Sequence, residues 1–161
     1  MKGFLIFMVL VVGGSIYFFT HTADFGKQAI ASLEAEEKPD APAFQEGLYR
    51  DPVAFAANNQ VFLEKRATIA KWLGILGEKG MMQDICKRSR DLYHDSNLST
   101  DPAYGDMLWR SAADYDDQES MGPAQQSLEL CRTYLALFPT GAHREEVSGI
   151  ATRIQYKYNF K

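Results

Sequence analysis

Ile85-Cys-Lys-Arg-Ser-Arg-Asp-Leu-Tyr93 and Leu130-Cys-Arg-Thr-Tyr-Leu-Ala-Leu-Phe138 are two versions of one pattern at an offset of 45. Cys86 aligns with Cys131, Lys87 with Arg132, Leu92 with Leu137 and Tyr93 with Phe138. Past a loop about six residues longer in the first copy, Ala103, Leu108 and Ala112 fall on Ala142, Val147 and Ala151 at an offset of 39. Each copy reads as helix, turn, helix, with alanines where the next helix crosses closely. The pattern predicts an all-α fold of stacked helical hairpins.

Start and stop signals around these stretches agree with it. Asp51-Pro52 and Asp101-Pro102 each place a capping carboxylate before a proline suited to the first helical position. From Asp51 the apolar residues Val53, Phe55, Val61, Phe62, Ile69, Trp72, Leu73 and Leu76 predict one long helix, or two parted near Asn58-Asn59, ending at Gly77-Glu-Lys-Gly80. A second helix is expected from Met81 to about His94, and a third after Pro102 carrying Met107, Leu108, Trp109, Ala112 and Tyr115. A fourth covers residues 123–138, and a fifth follows Pro139-Thr-Gly141 from Ala142. Only Ile154-Gln-Tyr-Lys-Tyr-Asn-Phe160 alternates with period two, and it reads equally as a fraying last turn.

Leu128-Glu-Leu-Cys-Arg-Thr-Tyr-Leu-Ala-Leu-Phe-Pro-Thr-Gly-Ala-His-Arg-Glu-Glu-Val147 resembles the tetratricopeptide-type repeats of bacterial envelope proteins. There a helix ends in a hydrophobic-aromatic-proline turn and the next begins with alanine and acidic residues. The resemblance covers residues 81–154. The Trp, Gly and Tyr of the standard repeat are not at their usual spacings, and the first copy has His94-Asp95 where the proline turn belongs. It implies a stack of helix pairs whose concave surface binds another polypeptide, and it implies no catalysis.

The N-terminus carries the other strong signal. Residues 3–19 hold no charge, and at about 1.5 Å per residue a helix over residues 1–23 would cross a bilayer core. No A-x-A precedes a cleavage point, so retention as an anchor is expected over removal as a signal peptide. Tyr17, Phe18 and Phe19 suit the aromatic belt at a membrane interface. Lys2-Gly3-Phe4 resembles the processing site of type IV pilins, although Met8 stands where that family usually has a glutamate. The expected organisation is an anchor over residues 1–23, a stalk over 24–50 broken by Pro39-Asp-Ala-Pro42, and a helical domain over 51–161. An N-terminal anchor before a bulky domain suggests a single-pass protein of the inner membrane with its domain on the periplasmic side.

In the 161 residues, 46% apolar and 24% charged, 17 basic side chains face 21 acidic ones, for a net charge of −4. With no Lys/Arg cluster, binding driven by nucleic-acid phosphates is excluded as a leading function. His21, His94 and His143 share no ligand spacing, and no cofactor motif appears. Asp114-Tyr-Asp116-Asp117-Gln-Glu119 lacks the glycine and closing glutamate of a calcium loop and reads as a solvated turn. Ser111 and Ser127 are nucleophiles only by assumption, so an enzyme is not expected. Cys86 and Cys131 occupy equivalent places in the repeat and leave two outcomes open: a disulfide, or two buried thiols packed as small apolar side chains. The expected function is a membrane-anchored accessory or scaffolding subunit with a protein partner at the membrane, and the alternative is a minor pilin-like subunit. Trp72, Trp109, Tyr134, Tyr156, Tyr158 and Phe160 are the candidate anchors for a partner, since interfaces favour such side chains.

Overall fold

Asp101 sits in extended backbone (φ −68°, ψ 136°) and its carboxylate accepts the Ala103 N–H at 2.8 Å. Pro102 takes the first helical position, where no N–H is needed. The computed structural model describes residues 20–36 and 51–160 with Val12, Gly14 and Tyr17 ahead of them, apart from the side chains at 36, 52 and 54–58. Its helices are α1 (Thr22–Glu36), α2 (Pro52–Ile75), α3 (Lys79–Tyr93), α4 (Pro102–Asp117), α5 (Met121–Leu137) and α6 (Arg144–Tyr158). Among the described residues there is no strand, and no helix is long and apolar enough to cross a membrane. The charge-free run read as an anchor lies outside the described residues except at Val12, Gly14 and Tyr17. The Lys2-Gly3-Phe4 site and the Pro39-Asp-Ala-Pro42 break lie outside them as well.

Helix α2 runs through Asn58-Asn59 without a break. Two asparagines cost at most about 0.7 kcal/mol each in propensity, whereas burying Leu63 and Leu73 on the same helix contributes about 1.5–3 kcal/mol apiece. Gly77 ends the hairpin turn with φ +81°, a left-handed conformation that favours glycine, and this lets the Glu78 N–H donate to the Leu73 carbonyl at 2.9 Å. Chain reversal then lays α3 against α2.

Helix α1, in the segment read as a stalk, packs on α2 and α3. Leu33 is buried, and Gly26 leaves room for Leu73, whose Cδ2 would stand 2.7 Å from a Cβ there. Thr22 Oγ1 donates to Glu78 Oε1 at 2.5 Å, and Arg88 pairs with Glu34 at 3.3 Å.

Helix α4 is the centre of the packing, touching α2, α3, α5 and α6. Small residues permit this: Gly105, Ser111 and Ala112 are buried on α4, facing partners that include Ala124 and Ser127 of α5. Ser127 Oγ donates across the hairpin to the Ala112 carbonyl at 2.7 Å. The matched stretches bury corresponding positions, namely Ile85, Cys86, Ser89 and Tyr93 in one and Leu130, Cys131, Tyr134 and Phe138 in the other. The C-terminal alternation does not form a strand. Helix α6 continues through Tyr158, burying Val147, Ile150, Ala151 and Ile154, and Asn159 (φ 54°) stops it in the left-handed region.

Ala112 is 0% exposed at the α4–α5 crossing. Substitution Ala112→Leu is expected to destabilise the fold by about 1–3 kcal/mol in denaturant titration, because overfilling drives the helices apart. On the outer face of α6, Gly149 has open space where a Cβ would lie. Gly149→Ala is therefore expected to stabilise by about 0.5–1 kcal/mol and to raise the melting temperature.

Candidate functional site

Residues Glu64, Ala67, Thr68 and Lys71 recur at helical spacing along α2 and form one wall of a cavity of about 880 Å³. The first turns of α4 supply Pro102, Ala103 and Asp106, and the end of α5 supplies Tyr134, Leu137 and Phe138. The turn Pro139-Thr-Gly141 and His143 close it. Its volume is in the range of ligand and peptide-side-chain pockets, and its walls mix apolar and small residues with threonines and with the charged or titratable Glu64, Lys71, Asp106 and His143.

Two glycines shape the floor. A Cβ on Gly105 would lie 3.1–3.2 Å from the Phe138 ring, so its absence lets that ring rest on α4. A Cβ on Gly141 would meet Tyr134 Oη at 2.5 Å and Phe138 Cβ at 2.8 Å. Tyr134 and Phe138 lie 5.1 Å apart, and Tyr134 Oη accepts the His143 N–H at 3.0 Å, which fixes the turn before α6.

Beside the cavity stands a stacked cluster. The Trp109 and His143 rings are parallel to within 2° at 3.8 Å, and the Arg110 guanidinium lies 4.8 Å from the Trp109 ring centre. Asp106 joins them, accepting from Arg110 Nε at 2.9 Å and lying 3.1 Å from His143 Nε2. An ionised carboxylate only accepts, so the latter contact needs the proton on Nε2. Asp106 and His143 of the cavity wall are therefore engaged with each other, while Glu64 and Lys71 of α2 are exposed.

The sequence candidates are distributed unevenly around this site. Tyr134 lines the cavity, but it is 2% exposed and its hydroxyl is already engaged, so as an exposed anchor it is corrected to a wall residue. Trp109 is half-buried in the stack, with its indole N–H unpaired among the described residues. Trp72 (57% exposed) and Tyr156 (92% exposed) stand on the surface of α2 and α6 and do not line the cavity. Tyr158 and Phe160 stack on each other at 5.7 Å, half-buried against the core. Gly105, Asp106, Gly141 and His143 escaped the sequence reading. The one available signal was a glycine inside a helix, which often marks a close approach.

Cys86 and Cys131 are free and buried, so the disulfide is not formed. They sit on α3 and α5, each packed on α4, and the charges acting on Cys86 include Asp106, Arg110 and Asp114 of that helix. Burial pushes the Cys86 thiol up to about 12 and the Cys131 thiol up to about 11, the opposite of an activated thiolate. Asp114, 6% exposed, accepts from Gln83 Nε2 at 2.7 Å and pairs with Lys79 at 3.2 Å, while Arg153 binds Asp116. Ser111 Oγ donates to Gln83 Oε1 and Ser127 Oγ to a carbonyl. Among the described residues no group of three or more His, Cys, Asp or Glu could hold a metal ion.

Comparison of the chain with protein-family models, curated proteins and solved structures finds no match.

Iodoacetamide near neutral pH is expected to leave both cysteines unmodified in the folded protein and to label both in denaturant, as intact mass will show. Asp114→Ala removes the shorter of the two hydrogen bonds donated by the Gln83 amide together with the buried partner of Lys79, and is expected to cost about 1–3 kcal/mol. Asp117→Ala removes an exposed partner of the same Lys79 and should change stability by less than about 0.5 kcal/mol.

Proposed function

We propose that the chain is a membrane-anchored scaffolding subunit that holds a segment of another envelope protein in the cavity between α2, α4 and the turn before α6. The observation that carries this is the cavity itself, about 880 Å³, walled by Ala67, Ala103, Leu137 and Phe138, with Asp106 and His143 paired to each other and Glu64 and Lys71 exposed along α2. Such a surface offers shape and apolar area for binding. The tetratricopeptide-like reading is supported by the corresponding burial of residues 85–93 and 130–138. It is supported further by the contacts of α4 with both α2 and α6, which set alternate helices against one another. The charge-free residues 3–19 are the basis for placing the protein in the inner membrane with its domain in the periplasm. An anchor also raises the effective concentration of a membrane partner without any new contact.

The test is purification of the full chain from its own membranes in mild detergent. A partner in fixed stoichiometry is expected to be lost from Ala103→Trp, which fills the cavity, and retained by Tyr156→Ala, with both variants melting as folded domains. Equal retention of the partner by Ala103→Trp would remove the cavity from the binding surface.

A further inference from the structure

The two ends of the helical stack differ in surface chemistry. At the C-terminal end, the outer face of α6 presents Glu145, Glu146, Thr152 and Arg153 to water, as the closing helix of a stack does. At the other end, where α1 packs on α2, the last turn of α2 carries Trp72 and Ile75, 57% and 61% exposed. Exposed apolar side chains on one face mark a contact surface.

Where the preceding chain arrives decides what this surface contacts. Thr22 at the start of α1 bonds Glu78, three residues past the end of α2, and Gly26 lies against Leu73. The entry point of α1 is thus pinned beside the end of α2 that bears Trp72 and Ile75. Phe25, 39% exposed, is on the first turn of α1. Immediately before this point the sequence holds the uncharged residues 3–19. In sequence, exposed Lys27 and Lys71 flank Phe25 and Trp72, with Asp24 and Glu78 as the acids at this end. Tryptophan with neighbouring lysines at the end of an apolar segment is the composition of a membrane interface, where the indole sits at headgroup level and the ammonium reaches phosphate.

We infer that Trp72, Ile75 and Phe25 form a bilayer-contact face, so that the domain lies on the lipid surface at the α1–α2 end rather than standing off on a stalk. The inference rests on the anchored reading above.

The experiment uses the full chain reconstituted in vesicles of phosphatidylcholine and phosphatidylglycerol, with part of the lipid brominated either near the headgroup or near the chain ends. Trp72 and Trp109 are the two tryptophans, so wild type and Trp72→Phe separate their emission. Expected is a loss of wild-type emission that is greater with bromines near the headgroup, and the disappearance of that loss in Trp72→Phe. Trp109→Phe, leaving Trp72 alone, should show the loss undiluted and a shift to shorter wavelength on reconstitution. Protein that floats with the vesicles while Trp72 is quenched by aqueous iodide and untouched by bromines would overturn the contact face and leave the anchor standing. Equal bromine quenching of wild type and Trp72→Phe would overturn it too. Failure to float at all would remove the anchor itself, and this inference with it.

Discussion

The seating of the Phe138 ring on Gly105 is the contact on which the rest of the site depends. It joins the end of α5 to the start of α4 so closely that a Cβ on Gly105 would stand 3.1–3.2 Å from the ring and push it back. With the ring in place, Pro139-Thr-Gly141 turns tightly against Tyr134, whose hydroxyl receives the His143 N–H. His143 is thereby delivered onto Trp109 and Asp106, and the cavity acquires its closed end. Dense packing transmits such a constraint because neighbouring side chains have no slack to absorb a displaced ring.

Much of the fold was legible because its determinants are local. Asp101-Pro102 caps and starts a helix through one carboxylate and one missing N–H, both visible in two letters of sequence. The matched stretches announced their buried positions through helical spacing. What was not legible depends on distant partners. That α1 lays Leu33 and Gly26 on the bundle follows from the shape of α2 and α3, not from the residues of 24–38 alone. Tyr134 and Trp109 carry the same aromatic signal as Trp72 and Tyr156, yet the first two are turned inward by Gly141 and His143. The equivalence of Cys86 and Cys131 was correct as to burial and silent as to distance, which only the placement of α4 decides.

Polar groups in the interior are used for joinery. Ser127 ties α5 to α4, Ser111 and Gln83 exchange hydrogen bonds between α4 and α3, and Gln83 also reaches Asp114. Ser111, Ser127 and Asp114 are side chains a sequence offers first for chemistry, and here they are engaged inside the packing. The surface left for function is a cavity of mixed lining on one side and the exposed Trp72 and Ile75 at the α1–α2 end.

Because α4 touches four other helices, it also sets the order in which the molecule gains cooperativity. Chain emerging from the ribosome presents α1 and then α2 and α3, the last two a hairpin closed by the Gly77 turn whose contacts are short in sequence and quick to form. That hairpin lacks the buried face contributed by Tyr104, Met107 and Leu108 until α4 arrives. Arrival of α4 covers it and at once exposes a new apolar face that only α5 and α6 can cover. A stack that stops short of α6 therefore leaves an apolar helix face uncovered, and the polar exterior of α6 closes the last of them.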